Sequence, residues 1–127
     1  MTGDRIYLNL GTRAAIPPIP GLREANPLTH VEALLLEVLP TRLLVIGGGY
    51  IGMEMAQAFR HLGSEVVVIE AGPQLAARED TDVAAAISDL LKKDGIELAF
   101  DSRVAGVSGH SGTSVAVRLE DLSLIHI

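Results

Sequence analysis

Three glycines, Gly47, Gly49 and Gly52, stand between an aliphatic run, residues 43–46, and an amphipathic stretch, and an acid, Glu70, lies 18 residues past the last of them. With Gly48, Tyr50 and Ile51 they make the loop of LLVIGGGYIGMEMAQAFRHLGSEVVVIE. Such a loop can bind the pyrophosphate of a dinucleotide. Gly47 allows the tight strand-to-helix turn, Gly49 lets backbone approach the phosphates with no Cβ in the way, and Gly52 lets the helix pack close to its strand. Free N–H groups and the positive end of the helix dipole attract the anion, so no lysine is needed. Glu70 is placed to accept hydrogen bonds from the adenosine ribose 2′-OH, and its charge repels a 2′-phosphate, so NAD is the expected cofactor. NADP comes second: Ala71, Gly72 and Pro73 bring no cation, and Arg78 is the nearest one. The bland reading is a glycine turn in some other α/β protein, with Glu70 a solvated strand-end acid. The agreement of strand, turn, helix, strand and acid favours the dinucleotide site.

The elements that must position these residues are legible from periodicity and punctuation. Strands are expected at 43–46, Glu65–Ile69 and 96–100, with helices at Tyr50–Leu62 and from Asp80 or Thr81 to Lys93. Gly63 and Gly95 supply the helix ends, and Lys92 and Lys93 suit the negative end of the dipole. The implied class is α/β: a Rossmann-like, three-layer, parallel β-α-β-α-β half in sheet order 3-2-1, with right-handed crossovers. Within the Tyr50–Leu62 helix, Ile51, Met55, Phe59 and Leu62 are expected to form the core stripe. Upstream, residues 5–9 suggest a short strand, and residues 11–27, with four of the six prolines, an irregular segment. Thr29 is a candidate N-cap for a helix over 30–39 that Pro40 helps to stop. Downstream, residues 104–107 and Ser114–Leu119, joined by SGHSGT, suggest an appended antiparallel hairpin. The sheet is incomplete: no strand arrives on the far side of 43–46, which leaves it an edge.

At 127 residues and 48% apolar content the chain can bury one core, mainly aliphatic because Tyr7, Tyr50, Phe59 and Phe100 are its only aromatics. A net charge of −6 disfavours nucleic acid and anionic membrane as partners. No apolar run has transmembrane length and the N-terminus lacks a secretory pattern, so the cytoplasm is the expected compartment. With no cysteine, the chain has no disulfide, zinc-thiolate site or thiol chemistry. His30, His61 and His110 show no metal-ligand spacing, and no metal site is expected. Asp80 and Asp82 look like helix N-terminal acids, and the acids of residues 78–82 have no partner at hand for acid/base work.

Taken together, IGGGYIGMEMAQAFRHLGSEVVVIE, the upstream IYLNLGTRAAIPPIPGL and the downstream REDTDV resemble the pyridine nucleotide-disulfide oxidoreductase family. The mercuric reductase-like and dihydrolipoyl dehydrogenase-like flavoproteins are the nearest likeness. The resemblance implies that residues 1–39 are part of an FAD-binding domain, with Gly11 in its second flavin motif, and that residues 40–121 are a partial NAD(P)-binding domain. Where the family has Thr before that glycine and Pro three residues after it, this chain has Leu10 and Ala14. Tyr50 matches the family tyrosine that lies over the flavin and moves aside for nicotinamide. Glu54 matches the acid near the flavin that pairs with a lysine and contacts the carboxamide. Their i, i+4 spacing independently puts them on one helix face. The bland readings are a packed aromatic and a solvated first-turn acid.

The resemblance further implies a parent enzyme that passes hydride from NAD(P)H to FAD and on to a disulfide or metal ion. That parent is expected to be a homodimer whose remaining FAD and dimerisation domains are partners of this segment. Its cysteine pair, the lysine facing Glu54 and the His-Glu acid/base pair are not in this chain, which is expected to bind NAD weakly or not at all and to catalyse nothing alone. The competing reading is a stand-alone NAD(H)-binding module that reports redox state to a partner. The last six residues, 122–127, read LSLIHI, which one frame of a transposon end used in sequencing libraries encodes. They are expected to be a non-native tail, with Met1 an internal start, although LSLIHI also alternates as a strand would.

Overall fold

A computed structural model describes residues 4–121 and 123–127; Met1, and Leu122 of the expected tail, lie outside the described residues. Two three-stranded sheets form the architecture. The first is parallel, with β1 (Arg42–Ile46), β2 (Glu65–Ile69) and β3 (Glu97–Ala99) in the order β1-β2-β3. Its crossovers are α2 (Tyr50–Leu62) and α3 (Thr81–Lys93). The second is antiparallel, with β4 (Val104–His110), β5 (Ser114–Leu119) and β6 (Leu124–His126) as neighbours in that order. A short helix, α1 (His30–Leu34), precedes β1.

The central strand shows why these elements stack in three layers. On β2, Val66 and Val68 face a cluster with Met53, Ala56 and Phe59 of α2 and Leu91 of α3. Val67 and Ile69 instead face Val117 and Leu119 of β5. A period of two thus sends alternate residues to the helices and to the second sheet, so that after the exposed Glu65 β2 is apolar from Val66 to Ile69, as expected for a strand covered on both faces. Burying each such side chain contributes about 1.5–3 kcal/mol. Ser64, at 0% exposure, is satisfied by donating its hydroxyl to Pro40 O at 2.6 Å.

Several sequence expectations are corrected here. The α2 core stripe is Met53, Ala56 and Phe59, with Met55 at its margin, whereas Ile51 and Leu62 are 54% and 67% exposed. Close contact at Gly52 rotates the buried face one position away from Ile51. Residues 5–9 form no strand and are exposed, because no described strand offers them a ladder. α1 stops at Leu34 rather than Leu39. Thr29 caps it as expected, in a capping box with Glu32, but none of its residues is buried, so nothing offsets the entropy of lengthening it. β4 runs three residues further than expected, to His110, and β3 is confined to Glu97–Ala99. The proline-rich segment is held to the second sheet by bonds from Val107 N–H to Pro20 O (2.9 Å) and from Ser111 N–H to Ala25 O (2.8 Å). The expected hairpin gains a third strand, since Leu124–His126 pairs antiparallel with β5. As expected, β1 is an edge: among the described residues only β2 pairs with it, and Ile46 is 37% exposed.

Candidate functional site

The candidate site lies at the carboxyl ends of β1 and β2, where a strand-to-helix turn and a strand-end acid meet. Gly47 continues the ladder, its N–H donating to Ile69 O at 2.8 Å, then turns the chain at φ 103, a conformation that favours glycine. Gly52 is glycine for packing: a Cβ there would stand 2.2 Å from Gly47 O and 3.3 Å from Val45 Cγ1. Gly48 is buried against Leu75, whose Cδ2 would lie 2.5 Å from an added Cβ.

Gly49 differs from all three. As the α2 N-cap it has φ −77 and ψ 175, which any residue adopts, and a Cβ built on it meets nothing within 4 Å. Neither backbone conformation nor packing among the described residues requires glycine at this position. No side chain caps α2, so its first-turn N–H groups open onto the same free space.

Glu70, immediately after β2, is drawn into this loop. Its Oε2 accepts from Gly48 N–H at 2.7 Å and its Oε1 from Gly72 N–H at 2.8 Å. A carboxylate has about four lone-pair sites, so two remain for another donor. The Glu70 backbone is fixed as well: its N–H donates to Ala99 O (2.8 Å) and its C=O accepts from Ser102 N–H (3.0 Å).

Tyr50 opens α2 with its ring 55% exposed, and its phenol donates to Glu79 Oε1. That bond, with burial and the Glu79 charge adding to it, holds the phenol above its ordinary range, opposed by Arg78. Glu79 thus gains a hydrogen-bond partner in Tyr50. Nothing in the sequence pairs residues 29 apart; only the fold brings them together. The segment between β2 and α3 also reaches the loop through Ala76, whose N–H donates to Gly48 O at 2.9 Å.

The remaining candidates are not gathered in. Glu54 is exposed one turn after Tyr50 and makes no hydrogen bond or ion pair with any described residue. Ile51 is exposed beside the loop. Gly11 has φ 73 in an exposed irregular segment, with nothing within 4 Å of an added Cβ, and no hydrogen bond joins it to the loop among the described residues. His61 is taken up by Asp94 (3.2 Å), and the described residues hold no group of three His, Cys, Asp or Glu that could bind a metal. No helix among them is long and apolar enough to cross a membrane.

The chain is similar to known proteins in sequence and fold. The family model described as "Pyridine nucleotide-disulphide oxidoreductase" matches residues 1–126. The probable pyridine nucleotide-disulfide oxidoreductase RclA of Escherichia coli is 37% identical over 109 residues, 85% of this chain and 25% of that protein. A solved structure of RclA, titled a flavoprotein disulfide reductase, superposes with a TM-score of 0.81 at 34% identity, covering 98% of this chain and 28% of that one. A mercuric reductase of Bacillus cereus is 42% identical over 98 residues, 77% of this chain and 16% of that enzyme. The water-forming NADH oxidase of Lactobacillus brevis, solved bound to NADH, superposes with a TM-score of 0.76 at 26% identity, covering 91% of this chain and 22% of the oxidase. The chain spans between 16% and 33% of the length of the curated relatives it matches. By its glycine loop, its strand-end acid and these likenesses, the chain belongs to the pyridine nucleotide-disulphide oxidoreductase family.

Proposed function

We propose that this chain is the NAD(P)-binding portion of a flavin-dependent NAD(P)H oxidoreductase, and that NAD(H) is its nucleotide. The observation that carries the reading is Gly49, a glycine that nothing among the described residues requires and that faces open space before the uncapped N-terminus of α2. A pyrophosphate accounts for it, since a Cβ would intrude where backbone must approach the phosphates. Gly47 and Gly52 shape the turn, the first-turn N–H groups of α2 meet the phosphates, and Glu70 accepts the ribose 2′-OH with its remaining lone pairs. A carboxylate already fixed by Gly48 and Gly72 disfavours a 2′-phosphate, which is why NAD is preferred to NADP. Arg78 is exposed on the neighbouring segment and carries the NADP alternative.

The dinucleotide supplies hydride chemistry; this chain's residues bind and orient it. Tyr50 and Glu54 stand at the start of α2, on the side toward which nicotinamide would extend, and are proposed to control access to it. In the parent, the Gly11 segment would help to hold a flavin, which would supply the electron-transfer chemistry toward a disulfide or metal ion. The parent is read as a cytoplasmic homodimer. Recovering the reading frame on both sides tests this: an upstream CxxxxC and a flavin-containing product oxidising NADH faster than NADPH are expected. Stop codons directly flanking the frame would overturn it in favour of a stand-alone NAD(H)-binding module, and a preference for NADPH would remove Glu70 from its role.

A further inference from the structure

The segment between β2 and α3, residues 70–80, touches the start of α2 at points the glycine loop does not itself require. Leu75 is fully buried against Gly48, and Ala76 N–H holds Gly48 O while Ala76 sits at φ 46. A left-handed alanine persists only where its surroundings impose it. The segment is therefore a fixed platform, anchored at Leu75 and Ala76, and three residues later it presents Glu79. The Glu79 carboxylate accepts the phenol of Tyr50, the first residue of α2. Tyr50 has an exposed ring that would otherwise be free to rotate across the helix N-terminus.

We propose that Glu79 is a positioning residue that tethers Tyr50 to this platform, holding the ring to one side of the α2 N-terminus and so setting how readily a nicotinamide dinucleotide enters. The proposal rests on the dinucleotide reading of the loop and deepens it. Two features besides the bond support it. Glu79 and Tyr50 are both exposed, so the contact is not a by-product of core packing. Platform and loop are also joined through Gly48, so the ring's anchor stands at a fixed distance from the nucleotide donors. The charged groups bearing on the phenol are Glu79, which holds its proton, and Arg78, which opposes it.

Tyrosines 7 and 50 are the only two in the chain, and it has no tryptophan, so a Tyr7→Phe background isolates Tyr50 spectroscopically. In that background the ultraviolet titration of the phenol is expected to fall toward the ordinary tyrosine range in Glu79→Ala, with Glu79→Gln intermediate. NAD+ affinity, followed by amide NMR, is expected to weaken about three- to tenfold in Glu79→Ala, the worth of one hydrogen bond. An unchanged titration in Glu79→Ala would overturn the tether. A shifted titration with unchanged NAD+ affinity would overturn its control of entry. Failure of the Tyr7→Phe chain itself to bind NAD+ would instead overturn the reading of the loop, and with it the control of entry, while the titration still decides the tether.

Discussion

Glu70 and Gly48, 22 residues apart in sequence, are joined by a hydrogen bond of 2.7 Å from the Gly48 N–H to the Glu70 carboxylate. The acid at the end of β2 and the second residue of the glycine loop thus form one unit, and the carboxylate is oriented before any ligand arrives. Preorganisation of this kind lowers the ordering cost of binding.

Glu70→Ala leaves the buried Gly48 N–H without its acceptor, which costs about 1–3 kcal/mol. A lower urea midpoint at unchanged slope is the expected outcome, with Glu70→Gln less affected because an amide oxygen can still accept. In the parent enzyme the same Ala substitution should narrow the preference for NADH over NADPH about tenfold, the worth of one charge-assisted hydrogen bond. An unchanged preference in steady-state kinetics would refute the role given to Glu70.

Gly52→Ala sets a methyl 2.2 Å from Gly47 O, a backbone atom that cannot yield cheaply. Strain of about 1–3 kcal/mol is expected in urea unfolding. Gly49→Ala meets no atom and should change stability by no more than about 0.5 kcal/mol. Equal losses at both positions would show that Gly49 serves the fold.

Asp94 caps α3 and holds the end of α2, accepting from Gln57 Nε2 at 2.9 Å with His61 at 3.2 Å. The Gln57 bond, then His61, lowers its carboxyl below the ordinary value of 3.8. A carboxylate lowered on folding stabilises the native state above its unfolded pKa, and that contribution disappears as pH falls through the lowered folded value. Thermal melts between pH 5 and pH 2 should therefore fall less steeply in Asp94→Asn than in the parent chain. Parallel curves would contradict the assignment.

Among the described residues β1 is paired on one side only, and its outer side lies beside the exposed Ile46, a combination that favours pairing with another chain. Light scattering should show concentration-dependent association of the 127-residue chain. Ile46→Lys should suppress it while leaving the urea midpoint close to that of the parent, since the position is already exposed. Association unaffected by this charge would place the sticky surface elsewhere.

The β-α-β unit was legible because its determinants are local. Gly47 turns, Gly52 packs, and the aliphatic runs on either side carry strand propensity whatever surrounds them. The same locality made Thr29 readable as a cap. What escaped depended on distant partners. Residues 5–9 carry strand-like side chains yet lack a ladder. The α2 face departs from its apolar period at Ile51 because the close approach at Gly52 also bears on the helix rotation. The Tyr50–Glu79 bond and the docking of Pro20 on Val107 follow from how loops lie on sheets, which no spacing rule records. Glu70 stood between these cases: its place was readable from its distance to the glycines, but its bonds to Gly48 and Gly72 were not.

The central claim is that Gly49 is kept open for a dinucleotide, and amide NMR of the isotopically labelled chain titrated with millimolar NAD+ tests it most directly. Weak, saturable shifts confined to the amides of Gly47–Gly52 and to those around Glu70 are predicted, smaller with NADP+ and abolished in a folded Gly49→Ala variant. Shifts that persist undiminished in Gly49→Ala, or that fall away from this loop, would contradict the account.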